Sequence, residues 1–157
     1  MAYLIMAFLA GAGFLASLGC HIIGLLQIEP PWGKSVFILH VGIFVVWIPL
    51  VFSANRTMPK RNRGNFDHLL VELPKWVRIA TRVVFVYAAV NFVFFLVCAS
   101  QYPKHKVPFT LELRGFSGHW LLFYGWATAG FIGLSRRARK LKLLKESDLT
   151  GADKCQQ

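Results

Sequence analysis

The chain has 157 residues, 55% of them apolar with 14 Phe and 5 Trp, and a mean hydropathy of +0.49. That is more apolar surface than a single water-soluble domain of this size can hide. A net charge of +11 and a pI near 10.1 would suit nucleic acid in a soluble protein. Here, however, Lys and Arg border apolar blocks, where they set membrane orientation and meet anionic lipid head groups, so no nucleic-acid partner is expected.

The first apolar block runs from about Ala2 to Ile28 without a charge, long enough at 1.5 Å per residue to cross a ~30 Å hydrocarbon core. No Lys or Arg precedes it, and Ser17 stands where a lipoprotein signal ending at Cys20 carries Leu. A cleaved leader is therefore not expected, and a bacterial cytoplasmic (inner) membrane is the expected location. Glu29-Pro30-Pro31-Trp32-Gly33-Lys34 ends the block. The second covers about Ser35 to Ala54, interrupted only by His40 and Pro49, and the short connection predicts an antiparallel hairpin.

From Asn55 to Arg82 the chain turns basic, with Phe66, Leu69, Leu70 and Leu73 at helical spacing. This predicts a short amphipathic segment on the membrane surface that leads into a third span over about Trp76 to Ser100. The connection Gln101–Ser117 carries Pro103, Pro108 and the alternation Thr110-Leu111-Glu112-Leu113-Arg114, which reads as a short extended piece over the mouth of the helices. The fourth span follows from about Gly118 to Leu134. Beyond it lies a basic stretch from Ser135 to Lys145 with leucines on one side, and a polar end expected to be disordered.

Seven Lys or Arg follow the second span and seven more follow the fourth, whereas the other two connections hold only Lys34, and Lys104, Lys106 and Arg114. The positive-inside bias puts the richer segments, and with them both termini, in the cytoplasm. The expected fold is an all-α membrane protein with four transmembrane helices in a compact bundle over residues 1–134. Both ends are cytoplasmic, with the amphipathic segment between helices 2 and 3 and a basic tail over 135–157. Trp32, Tyr102 and Trp120 fall at expected outer interfaces, and Tyr3 and Trp76 at inner ones.

Lipid gives no hydrophobic drive between helices, so contact relies on small residues. Ala12, Ala16, Cys20 and Gly24 recur every four residues beside the row Gly13, Ser17, His21, and Gly125 and Ala129 form a weaker pair. That face of the first helix is expected to meet another helix. Asn91, near the middle of the third span, requires a partner in hydrocarbon and is expected to tie two helices together.

Of five histidines, His21, His40, His105 and His119 fall in the outer half and His68 in the basic segment. His21 lies roughly 10 Å and His40 roughly 7 Å below the outer end, at similar depth. Ionisable residues within a membrane are functional candidates, and imidazoles at matched depth suit axial ligation of b-type haem, a metal or a quinone head group. The candidate is a pairing of His21 with His40 or His119; interface histidines also serve as hydrogen-bonded packing residues. Glu112 and Arg114 invite reading as a polar gate at the mouth, or as a solvated ion pair contributing little.

Cys20, Cys98 and Cys155 form no C-x-x-C pair or zinc spacing. There is no phosphate loop, nucleophile elbow or H-E-x-x-H motif, and no acidic residue within a span of the kind cation-coupled transporters use. The leading expectation is a non-enzymatic accessory or interaction component without a cofactor, whose partners are anionic lipid and another membrane protein. The alternative is a redox protein using His21, His40 and His119.

Overall fold

A computed structural model of the protein describes residues 2–58, 67–103 and 106–154. The described residues form helices and connections and include no strand. Helix α1 covers Ala2–Leu25. A 3-10 turn over Gly33–Phe37 opens into α2, Ile38–Thr57, which runs on through Pro49. Helix α3 is the short Asp67–Leu70, α4 is Lys75–Ala99 and α5 is Phe109–Lys154. Among the described residues three segments are long and apolar enough to cross a membrane: Ala2–Leu25, Gly33–Thr57 and Lys75–Ala99.

The end of α1 comes three residues before the apolar block does. The N–H of Ile28 bonds the carbonyl of Ile23 at 3.1 Å and that of Gln27 bonds Gly24 at 3.3 Å. This is the paired closure of a Schellman motif, with Gln27 at φ +57° in the left-handed position that glycine usually takes. The conformation costs a side-chain-bearing residue about 1–2 kcal/mol.

The extended piece expected at Thr110–Arg114 is helical instead. Pro108 precedes α5, and its carbonyl accepts the N–H groups of Leu111 and Glu112 at 3.0 and 3.1 Å. With no N–H to leave unsatisfied, Pro108 opens a helix readily, and Glu112 complements the dipole of the first turn. The helix also fails to stop at Leu134: it continues unbroken into the basic segment and, as backbone, to Lys154.

Helix α5 is the hub of the fold. Most contacts between helices run from α1, α4 and α2 to α5, while α1 and α2 touch each other little. The register can be read from its glycines. A Cβ at Gly24 would lie 2.9 Å from the Arg114 nitrogen, and one at Gly125 would lie 3.3 Å from the Phe14 ring, so α1 and α5 run antiparallel. Gly115 faces Phe95 and Gly118 faces Asn91, so α4 and α5 are also antiparallel. Helix α2 runs parallel to α5, since Trp120 bonds His40 and Gly130 abuts Leu50.

Large apolar side chains face outward on the three surrounding helices, as with Phe8 at 81% and Ile38 at 75% exposure. None between Gly115 and Leu134 of α5 is exposed in this way. Apolar exposure on that scale calls for lipid rather than water as the neighbour. Helix α5 is the least hydrophobic long helix mainly because its second half, from Arg136, is charged; its first half also carries Gly, Ser, Trp, Tyr and His among the large apolar residues that touch protein.

The small-residue rows of α1 divide. Ser17, Cys20, His21 and Gly24 are buried, but Ala12 and Ala16 are exposed. They line a cleft of about 400 Å³ between α1 and α2, against the expectation that this whole face meets another helix. The cause is Tyr124, whose ring occupies the space over Gly13 and Gly42 while its hydroxyl donates to the Leu39 carbonyl at 2.8 Å. The phenol props the two helices apart, so the hairpin expected from their short connection is joined through α5. A second apolar cleft of about 340 Å³ separates α1 from α4 and reaches Gly125 and Ala129.

The segment after α2 also departs from expectation. Leu69, Leu70 and Leu73 are buried; they turn onto α5 beside Ala129, Ile132 and Leu134 rather than toward a membrane surface. Close approach is possible because the Leu69 carbonyl fills the place a side chain at position 133 would need, and that residue is Gly. Phe66, the first member of the apolar pattern, lies outside the described residues.

Candidate functional site

Two polar centres flank the first half of α5's uncharged stretch. In the first, His21 of α1 is 3% exposed and sits between α4 and α5. Its Nδ1 is 2.9 Å from the Ser117 hydroxyl, and its Nε2 meets the Tyr87 hydroxyl. Ser117 donates to the Arg114 carbonyl at 3.2 Å, and Asn91 Nδ2 donates to the same oxygen at 3.0 Å. With the Ser117 hydrogen committed, its oxygen accepts from His21 Nδ1–H, and Nε2 is left to accept from Tyr87. One carbonyl thus gathers α1, α4 and α5, at a site where a Cβ on Gly24 or Gly118 would not fit.

In the second centre, the rings of His40 and His119 lie edge to face with centroids 5.2 Å apart. Trp120 Nε1 donates to His40 Nδ1 at 3.1 Å, so His40 is a neutral imidazole carrying its hydrogen on Nε2. His119 is enclosed by Phe92, Phe116 and Phe123, and its Nδ1 is buried without a hydrogen-bond partner among the described residues. Trp120, expected at an interface, is instead fully buried at 0% exposure and packed edge-on against Phe37. Its indole nitrogen serves His40 rather than the head-group region.

Of the three histidines singled out in the sequence, then, His40 and His119 share one centre, while both nitrogens of His21 belong to the other. Tyr87 and Ser117 are the partners that sequence reasoning missed. Ser117 sits eight residues before the small pair Gly125 and Ala129 of α5, outside the spacing that marked them, so it reads in the sequence as an ordinary helix serine. Among the described residues no group of three His, Cys, Asp or Glu stands close enough to share a metal ion. His105 and Lys104 lie outside the described residues.

At the mouth above these centres, Glu112 and Arg114 are on α5 rather than in an exposed loop. Two residues apart on a helix they point away from each other, and among the described residues they form no ion pair. The half-buried Arg114 guanidinium lies 4.4 Å over the Phe94 ring, and its Nε is buried without an acceptor among the described residues. Around it opens a cavity of about 310 Å³ shaped by the ends of α1 and α4 and the start of α5. Gln27 and Gln101, neither marked by any motif, are among its lining residues.

At the opposite end, Arg136 donates to the Glu72 carbonyl at 3.2 Å, fixing the α3 region to α5. Lys142 and Glu146 pair at 3.7 Å one turn apart on the solvated helix face. Compared with protein-family models, with curated proteins and with solved structures, the chain matches none, and its chemistry is therefore argued from these contacts alone.

Proposed function

We propose that the protein is a four-span membrane protein with both ends in the cytoplasm. It acts without catalysis, as an accessory or interaction component whose basic end engages anionic lipid or an acidic partner protein. The observation that carries this reading is the antiparallel pairing of α5 with α1 and α4. A bilayer that covers those two helices also covers the uncharged stretch of α5 from Gly115 to Ser135. That stretch is roughly 31 Å long at 1.5 Å per residue, the thickness of a hydrocarbon core.

The orientation is supported by where the cations gather. Arg56 ends α2, Lys75 and Arg78 begin α4, and Arg136, Arg137 and Arg139 follow the uncharged stretch of α5. All belong to one end, and the positive-inside bias assigns that end to the cytoplasm, as fits a bacterial inner membrane. The 46 residues of α5 make a helix of roughly 69 Å, more than twice the hydrocarbon thickness. Its basic half, with Leu141, Leu143 and Leu144 exposed beside Lys140 and Lys142, offers a surface for such a partner. The interior polar groups of the first centre bind one another, which favours a structural use of them.

Cysteine labelling from outside tests the arrangement. Single cysteines near Trp32 and Lys106 should react, and those near Arg56 and Lys142 should react only after permeabilisation; the reverse pattern inverts the protein. A second reading, a redox bundle holding b-type haem or a quinone, is favoured by the orphaned Nδ1 of His119 beside His40. Ligation through His40 Nε2 would require it to give up the tautomer that accepts from Trp120, which weighs against haem. An absorption spectrum and quinone extraction of purified protein, with His21→Ala and His119→Ala beside it, decide between the readings.

A further inference from the structure

The cavity at the mouth differs from the two lateral clefts in its chemistry. It contains an arginine, two carboxamides from Gln27 and Gln101, and the hydroxyl of Thr110, against the apolar walls of Phe94 and Leu111. Among the described residues no acidic side chain lines it. A guanidinium held on an aromatic face, with Nε buried and lacking an acceptor among the described residues, is the donor geometry that a phosphate or carboxylate satisfies. A volume of about 310 Å³ corresponds to roughly ten water-sized groups, enough for a head group.

The second observation is Gln27 itself. At the left-handed end of α1 a glycine would close the Schellman motif without steric cost, yet the position holds a residue whose side chain lines the cavity beside Arg114. Unfavourable backbone conformations of this kind gather at ligand-binding positions. Arg114 is meanwhile fixed from behind. Its carbonyl is bonded by Asn91 and Ser117, and its backbone abuts Gly24. The guanidinium therefore projects from a backbone that α1 and α4 both hold in place.

From these contacts we infer that the cavity between the ends of α1 and α4 and the start of α5 is a binding site for the oxyanion of an amphiphile. Arg114 is its charged donor, and Gln27 and Gln101 supply neutral ones. The inference does not depend on which way the protein faces. It also stands apart from lipid attraction to the basic end of α5, which involves Lys140 and Lys142.

The full chain is purified in neutral detergent and titrated with dioleoylphosphatidylglycerol, and bound lipid is counted by native mass spectrometry. The variants are Arg114→Gln, Gln27→Gly and, at the far end, Lys140→Gln with Lys142→Gln. One tightly retained lipid is expected in the wild type and in the far-end variant. Affinity should fall about ten- to a hundredfold in Arg114→Gln, the loss of a charge-assisted hydrogen bond. Gln27→Gly should bind more weakly while unfolding at a higher temperature, because the left-handed position relaxes. Competition by millimolar inorganic phosphate would show that the oxyanion suffices, and retention despite phosphate that the acyl chains contribute; either supports the site. Folded Arg114→Gln protein with unchanged lipid occupancy, or loss of the lipid only in the far-end variant, overturns it.

Discussion

Replacing Gly118 by Ala probes the seam between α4 and α5 at its tightest point. A Cβ there would overlap the Asn91 amide nitrogen and lie 3.2 Å from its Cγ. Overpacking of this kind costs about 1–3 kcal/mol, offset in part by the better helix propensity of alanine. Asn91→Ala alone removes the bond to the Arg114 carbonyl, and interhelical hydrogen bonds in membranes contribute about 0.6 and at most about 1.7 kcal/mol. The larger loss expected for an orphaned acceptor does not apply, because Ser117 still donates to that oxygen. In the double variant the new methyl group occupies the space the amide leaves. Its cost should be about 1–2 kcal/mol where the single costs sum to about 2–4, a coupling near 1–2 kcal/mol. Helix propensity cancels in the cycle. Equilibrium unfolding in mixed micelles measures all four proteins, and additivity within about 0.5 kcal/mol would refute the register drawn between α4 and α5.

Gly133→Ala should undock the α3 region from α5, since the obstructing atom is the backbone carbonyl of Leu69 and cannot rotate away. Hydrogen exchange at Leu70 and Leu73 should accelerate at least about tenfold, and unchanged protection would count against that packing. Trp120→Phe deletes the donor to His40 and leaves a gap in the core, for a destabilisation of about 1–3 kcal/mol. Nitrogen NMR should find the Nε2–H tautomer of His40 in the wild type and a mixture in the variant; an Nδ1–H wild type contradicts the geometry. Gly42→Ala collides with the Tyr124 hydroxyl, and Tyr124→Phe should relieve more than half of the resulting loss of thermal stability.

The helices were legible because long apolar runs bounded by charge have few alternatives at 1.5 Å rise per residue. Three of the four expected spans coincide with helices of spanning length and hydropathy. Depth along the axis was legible for the same reason, so counting put His21 and His40 at similar heights. Rotation about each axis was not. Whether His21 turns toward His40 or toward Tyr87 and Ser117 depends on which helix lies beside it, and the four-residue rows of α1 fit either choice. The alternation at Thr110–Arg114 misled because five residues satisfy a period of two by chance, whereas Pro108 and Glu112 were the better signal of a helix start. The leucines at 69, 70 and 73 are all buried, although only the first two lie on α3. Their target was missed because the glycine that admits them, Gly133, lies on another helix.

The position of α5 changes what hydropathy means in this chain. A helix facing lipid must be apolar all round, but one surrounded by three others can carry Ser117, His119, Trp120 and Tyr124 among its neighbours, each met by a neighbouring group or ring. Polar side chains within the uncharged stretch of α5 are then a mark of centrality. Because α1 and α2 make little direct contact, their seams with α5 are separate. A lesion at Gly24 should weaken the His21 centre and leave the bond between Trp120 and His40 intact, while a lesion at Gly130 should do the opposite. Helix α5 contributes to both seams, and α4 reaches both centres through Asn91 and Phe92, so substitutions in the α5 backbone should disturb the two centres together.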